Sequence, residues 1–223
     1  MKIKICGLFR DEDIAYANEA RPDYIGFVFA QSRRNISPAQ AARLRRRLLD
    51  DIVSVGVFVN TPIGDIAALY HDGVISAAQL HGDEDDAYIV RLREAAGDEQ
   101  KPILIIKTIK SAQLESGKTI SSNFDYYLFD SGAGGGKTFN WDILNSQCRP
   151  PHTGGQESPR RRAWDSPGKP WFLAGGIGLG NIEKAIALKP FALDISSGAE
   201  TDGIKDREKI IQLTTIVRKA NTL

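Results

Sequence analysis

The chain reads as an α/β protein: a single domain built as a closed (β/α)8 barrel of the TIM class. Two observations predict this. Eight apolar runs of strand length recur along 223 residues, and helical patterns sit between them. The runs are near-continuously hydrophobic, without polar alternation, as expected of parallel strands covered on both faces. Eightfold alternation at this length closes most simply into a barrel. An open doubly wound sheet is the alternative that the same periodicity allows.

The predicted strands are Ile3–Gly7, Tyr24–Phe29, Ser54–Val59, Ala77–His81, Pro102–Thr108, Tyr126–Asp130, Trp171–Gly175 and Phe191–Ser196. The first helix, Asp11–Ala20, opens on acidic residues that suit the positive end of the helix dipole. Ser37-Pro38 places a cap and a first-turn proline before Ala39–Leu48, and Thr61-Pro62 repeats that signal before Ile63–Tyr70. Asp83–Ala96 offers an apolar face at Ala87, Val90 or Tyr88, Leu92 and Ala95. Ser111–Ser116 and Trp141–Asn145 are short and weak. Gly180–Leu188 and Asp206–Ala220 complete the series. One stretch, at about 147–169, breaks the rhythm: rich in Pro, Gly, Arg and Ser and without period, it reads as an irregular surface insertion. A basic docking loop through Arg160-Arg161-Arg162 and Trp164 is its sharper reading, supported by charge alone.

At 42% hydrophobic residues, the chain can bury one sizeable core. A formal net charge of +1 gives no global attraction to nucleic acid or membrane, so selectivity must come from local charge. Two cysteines, Cys6 and Cys148, make neither a disulfide framework nor a zinc cluster, and the three histidines lack ligand spacing. The amino terminus runs directly into a strand with no leader pattern, and no apolar run approaches bilayer length. The expectation is a cytoplasmic protein whose Cys6 stays a free thiol, with no metal or cofactor.

In such a barrel the active site is built at the C-terminal strand ends. Those ends carry Cys6, the Arg33-Arg34 loop, Asn60, His81, Lys107, Asp130, Gly175-Gly176, and Asp194 with Ser196-Ser197-Gly198. Gly175-Gly176 before a helix and Ser197-Gly198 after the last strand predict an anion pocket, because glycine lets backbone N–H groups approach a ligand closely. The run Gly132–Thr138 lacks the first glycine of a Walker loop and reads as a lid over Asp130.

Lys4-Ile5-Cys6-Gly7-Leu8, Gly26-Phe27-Val28-Phe29, Ser32–Ser37, Gln79–Glu84, Asp130-Ser131 with Gly136–Trp141, Leu173–Gly176 and Leu193–Glu200 occur in an order that resembles the phosphoribosylanthranilate isomerase family of tryptophan biosynthesis. The resemblance spans nearly the whole chain except the insertion. It implies an Amadori rearrangement of N-(5-phosphoribosyl)anthranilate to 1-(2-carboxyphenylamino)-1-deoxyribulose 5-phosphate. It further implies that Cys6 is the general base and Asp130 the general acid. Arg34 would meet the anthranilate carboxylate, and His81 would line the pocket. Asp194 would lie near the reacting sugar, and Gly176 with Ser197-Gly198 would hold the phosphate. The implied partner is a small phosphosugar, with no nucleic acid or membrane, and the family includes monomers and homodimers. The chain departs from the family pattern at Arg33 (usually Pro), Ala133–Gly136 (usually Gly-Gly-Thr-Gly), Asn140 (usually Asp) and Gly178-Leu179 (usually Asn-Pro).

Two other readings fit a barrel with an anion pocket. A pentose-phosphate epimerase would need metal ligands or paired aspartates at strand ends, which the sequence does not supply. A non-catalytic binding module would bind ligand without turnover, yet both catalytic positions are filled.

Overall fold

The computed structural model describes residues 1–97, 102–110, 123–130 and 169–221. Eight parallel strands close into a barrel in chain order. They are β1 (Lys2–Cys6), β2 (Tyr24–Val28), β3 (Val53–Phe58), β4 (Ala77–Leu80), β5 (Leu104–Lys110), β6 (Tyr126–Asp130), β7 (Trp171–Leu173) and β8 (Ala192–Ile195). β1 pairs with both β2 and β8, so the two ends of the chain meet at the closing seam. The helices are α1 (Asp11–Ala20), α2 (Pro38–Arg45), α3 (Ile63–His71), α4 (Asp86–Ala96), α5 (Ile182–Ala187) and α6 (Arg207–Lys219). The expected helices at 111–116 and 141–145, the lid at 132–138 and the insertion, Lys169 excepted, lie outside the described residues.

Side-chain alternation along the strands separates two cores. Ile3, Ile5, Ile25, Phe27, Phe58, Ala78, Ile105, Phe129, Leu193 and Ile195 face outward and bury against the helices. Tyr24, Val55, Ala77, Ile106, Leu128, Phe172 and Ala192 face inward and fill the barrel floor. Tyr126 and Tyr24 set their rings edge-on to Phe172 there, each at 5.5 Å between centroids. Two residues further along the strands, the inward positions become Lys4, Gly26, Gln79, Thr108, Asp130 and Asp194. The apolar floor thus gives way to a polar layer toward the strand C-termini.

Helix boundaries follow their caps. Ser37 accepts from the Gln40 amide, with Pro38 in the first turn, as expected. α4 begins at Asp86 and not Asp83, because the Asp85 carboxylate caps it by accepting from Tyr88 N at 2.8 Å. Its buried face is Ile89, Leu92 and Ala96, and Val90 is 43% exposed. Of the expected face, Leu92 is buried and Tyr88 packs partly against the core, whereas Ala87, Val90 and Ala95 are exposed: the bulky Ile89 and Leu92, three apart, choose the side that packs.

A short hairpin after β8, β9 (Glu200–Thr201) and β10 (Ile204–Lys205), is an element the periodicity did not predict. Asp202 and Gly203 turn it with φ of 50° and 81°, the left-handed pair that tight hairpins require. Asp206 then caps α6, accepting from Lys209 N at 3.1 Å and from Thr201 Oγ1 at 2.6 Å. Replacing Asp206 by Ala is expected to lower stability by about 1 kcal/mol, read as a lower urea midpoint with unchanged m-value.

Candidate active site

The barrel mouth gathers the expected residues into three groups. The first surrounds Cys6, a free and buried thiol at the end of β1. Its sulfur lies over β2 at a position only glycine tolerates, since a Cβ on Gly26 would come within 2.7 Å of Sγ. The Cys6 carbonyl accepts from Ser196 Oγ at 3.1 Å, tying the end of β1 to the loop after β8. Beneath the thiol, Lys4 is fully buried. Its ammonium donates to both Asp194 oxygens and to Gln79 Oε1, each at 2.9 Å. Burial alone would depress Lys4, but the Asp194 carboxylate and the Cys6 thiol outweigh it and lift the ammonium above the ordinary lysine value. Burial, aided by Asp194, pushes the Cys6 thiol up; Lys4 and Lys205 oppose that shift.

The second group stands across the mouth. His81, just past β4, places Nε2 3.5 Å from Asp130 Oδ2 at the end of β6. Its Nδ1 contacts Thr108 Oγ1 at 3.3 Å and Gln79 Nε2 at 3.5 Å. Gln79 therefore reaches Lys4 with its oxygen and His81 with its nitrogen. A polar chain of Lys4, Gln79 and His81 crosses the barrel and connects the thiol region with the carboxyl. The loop carrying His81 is pinned from below: Lys107 Nζ donates to Gly82 O at 2.9 Å and Glu84 Oε2 at 2.8 Å, while Glu84 Oε1 accepts from Asn60 N. Lys107, which sequence alone left without a role, is a structural tie.

The third group is the pair of turns expected to bind an anion. Gly175 and Gly176 adopt φ of 93° and 66°. Asn181 braces the turn, accepting from Gly178 N at 2.8 Å and donating to Gly176 O at 3.0 Å. The loops after β7 and β8 meet at a parallel bridge between Gly178 and Gly198. Ser197 lies beside that bridge, so the two expected anion turns are joined through Gly178 and Gly198.

Arg34 approaches the first group from the loop after β2. Its guanidinium forks onto Glu200, with Nε 2.7 Å from Oε1 and Nη2 2.9 Å from Oε2. Arg33 shares the same carboxylate at 2.5 Å and donates to Gly203 O at 3.1 Å. Lys205 Nζ completes the set at 2.6 Å. Three cations converge on one buried carboxylate, leaving a local excess of positive charge beside the thiol. Burial would raise Glu200, but Arg34 and Lys205 outweigh it and bring the carboxyl down to about 2.

Lys4, Gln79, Glu200 and Lys205 escaped the sequence reading of the site. Signals existed: Lys4 shares the inward face with Cys6, two residues away on one strand, and Asp202-Gly203 marks the hairpin that delivers Lys205. Among the described residues, no group of three or more His, Cys, Asp or Glu could hold a metal ion. No described helix is long and apolar enough to cross a membrane.

Glu200 contributes a pH-dependent stability. Its carboxyl lies at about 2 in the fold, against 4.5 ordinarily, so its contribution is whole above 4.5 and drains as pH falls toward 2. Glu200→Gln is expected to cost about 3–5 kcal/mol at neutral pH. The gap from wild type, measured by urea unfolding, should narrow across that acid window.

Comparison with known proteins adds a likeness along the whole chain. Residues 3–215 match the family model described as N-(5'phosphoribosyl)anthranilate (PRA) isomerase. N-(5'-phosphoribosyl)anthranilate isomerase of Endomicrobium trichonymphae is 41% identical, over 97% of this chain and 98% of that protein. Among solved structures, engineered monomers of the dimeric Thermotoga maritima enzyme superpose with a TM-score of 0.71 at 31% identity, covering both chains fully. So does a phosphoribosylanthranilate isomerase in complex with reduced 1-(o-carboxyphenylamino)-1-deoxyribulose 5-phosphate, at 29% identity and TM-score 0.71, again over all of both chains.

Proposed function

The chain belongs to the N-(5'phosphoribosyl)anthranilate isomerase family, and from that premise we propose that it carries out the Amadori rearrangement of phosphoribosylanthranilate in tryptophan biosynthesis, with Cys6 as general base and Asp130 as general acid. The observation that carries this reading is the polar chain across the barrel mouth, with a free thiol region at one end and a carboxyl at the other.

The reaction starts with opening of an aminoaldose ring. The ring oxygen leaves as an alkoxide unless it is protonated, and Asp130 is the group assigned to supply that proton. Opening leaves a protonated imine at C1. The cation acidifies the proton on C2, and the Cys6 thiolate removes it. The C2–H electron pair becomes the C1–C2 double bond of an enolamine, while the imine nitrogen takes up the displaced pair. Tautomerisation to the ketone completes the isomerisation, with no net redox change.

Binding follows the charge pattern. The excess cation around Glu200 suits a substrate that carries a carboxylate and a phosphate. Arg34 is assigned to the anthranilate carboxylate, exchanging part of its fork on Glu200 for the ligand. Gly175, Gly176, Ser197 and Gly198 are assigned to the phosphate, where backbone can approach closely. His81 and Asp194 are assigned to the pocket around the sugar. A reducing cytoplasm fits a base that must stay a free thiol.

Purified protein should abolish the fluorescence of phosphoribosylanthranilate. Cys6→Ala and Asp130→Asn should each lower kcat by about 10²–10⁴-fold while keeping the far-ultraviolet circular dichroism of wild type. Near-wild-type turnover in either variant would refute its assigned role.

A further inference from the structure

A general base must ionise, yet Cys6 sits where burial favours the neutral thiol. The charged groups around it come from four elements, and of them only the cations oppose that shift. Lys4 lies on the same inward face of β1. Asp194 faces it from β8. Lys205 comes from β10, and Arg34 from the loop after β2. Lys205 and Arg34 are both committed to Glu200, at 2.6 Å and 2.7 Å. Lys4 is paired too, at 2.9 Å to Asp194 and to Gln79, but it has no exposed surface and stands on the sulfur's own strand face, two residues away.

We propose that Lys4 is a positioning residue for the reaction, its ammonium being the fixed cation against which the Cys6 thiolate forms. The inference rests on the reading of Cys6 as base. Asp194 and Gln79 fix where that cation sits, and no solvent can screen it. The same two partners explain why a lysine stands in an interior layer: Asp194 and Gln79 satisfy its ammonium there. Lys4 donates no proton to the substrate and need not touch it. Its function is to make one protonation state of a neighbour accessible.

The test is a titration of Cys6 in the resting protein, followed by the ultraviolet absorbance of the thiolate. A Cys148→Ser background isolates Cys6, and subtraction of the Cys6→Ala trace removes the tyrosines. Lys4→Met should move the thiol pKa up by about 1–3 units. That variant leaves Asp194 unpaired in the interior and risks unfolding. Lys4→Met/Asp194→Asn removes both charges together and avoids the unpaired carboxylate. With the cation on the sulfur's own strand face removed, the double variant should still titrate above wild type, by less than Lys4→Met. A folded double variant titrating like wild type would overturn the proposal and reduce Lys4 to a structural pair. Turnover is not the readout, so the two readings can fail separately. An active Cys6→Ala would remove the base while leaving the titration result standing; an unmoved titration would remove Lys4 while leaving the base.

Discussion

Lys4 and Asp194 face each other across the seam where the first strand meets the last, paired in register between β1 and β8. The contact joins residues far apart in sequence and lies in the dry interior of the barrel. Isolated, either charge would be strongly disfavoured there. A slip of one residue at the seam would turn one partner outward and strand the other. The pair therefore specifies register as well as closure. Everything at the mouth inherits its position from that register: the thiol two residues beyond Lys4, the Ser196 hydroxyl two beyond Asp194, and the hairpin that follows.

The site divides into a rigid half and a half set by electrostatics. The rigid half is His81, its loop held by Lys107, Glu84 and Asn60. The other half is the Glu200 hub, where two arginines from one loop and a lysine from another share a single carboxylate. Arg33 gains meaning in that setting. With Lys205 it keeps a cation on Glu200 that does not depend on Arg34.

Much of this was readable beforehand, and the exceptions have physical reasons. The eight strands were legible because both faces of a parallel strand are apolar, which makes each run conspicuous. The polar strand ends stood out for the same reason: Cys6, His81, Asp130 and Asp194 interrupt hydrophobic runs. Lys4 was not legible, because a lysine near an amino terminus is ordinarily solvated and only the closed seam supplies its acceptors. Glu200 and Lys205 were hidden by shortness, since strands of two residues show no period. In α4, Val90 and Ile89 compete for the inward side, and pattern alone cannot weigh bulk against phase. Helix starts shifted by three residues at the Asp85 cap and by one at Asp206, each cap lying inside the expected span.

At the bridge between Gly178 and Gly198 the main chains come so near that a methyl on Gly198 would intrude to 1.9 Å from the Ile177 carbonyl oxygen. Two neighbouring segments are thereby welded, with no side chain between them to act as a hinge. Any rearrangement at the entrance must then come from elsewhere on the rim, while this quadrant travels as one piece with the strands below it. The anion site proposed there would thus offer its ligand a shape that exists before the encounter.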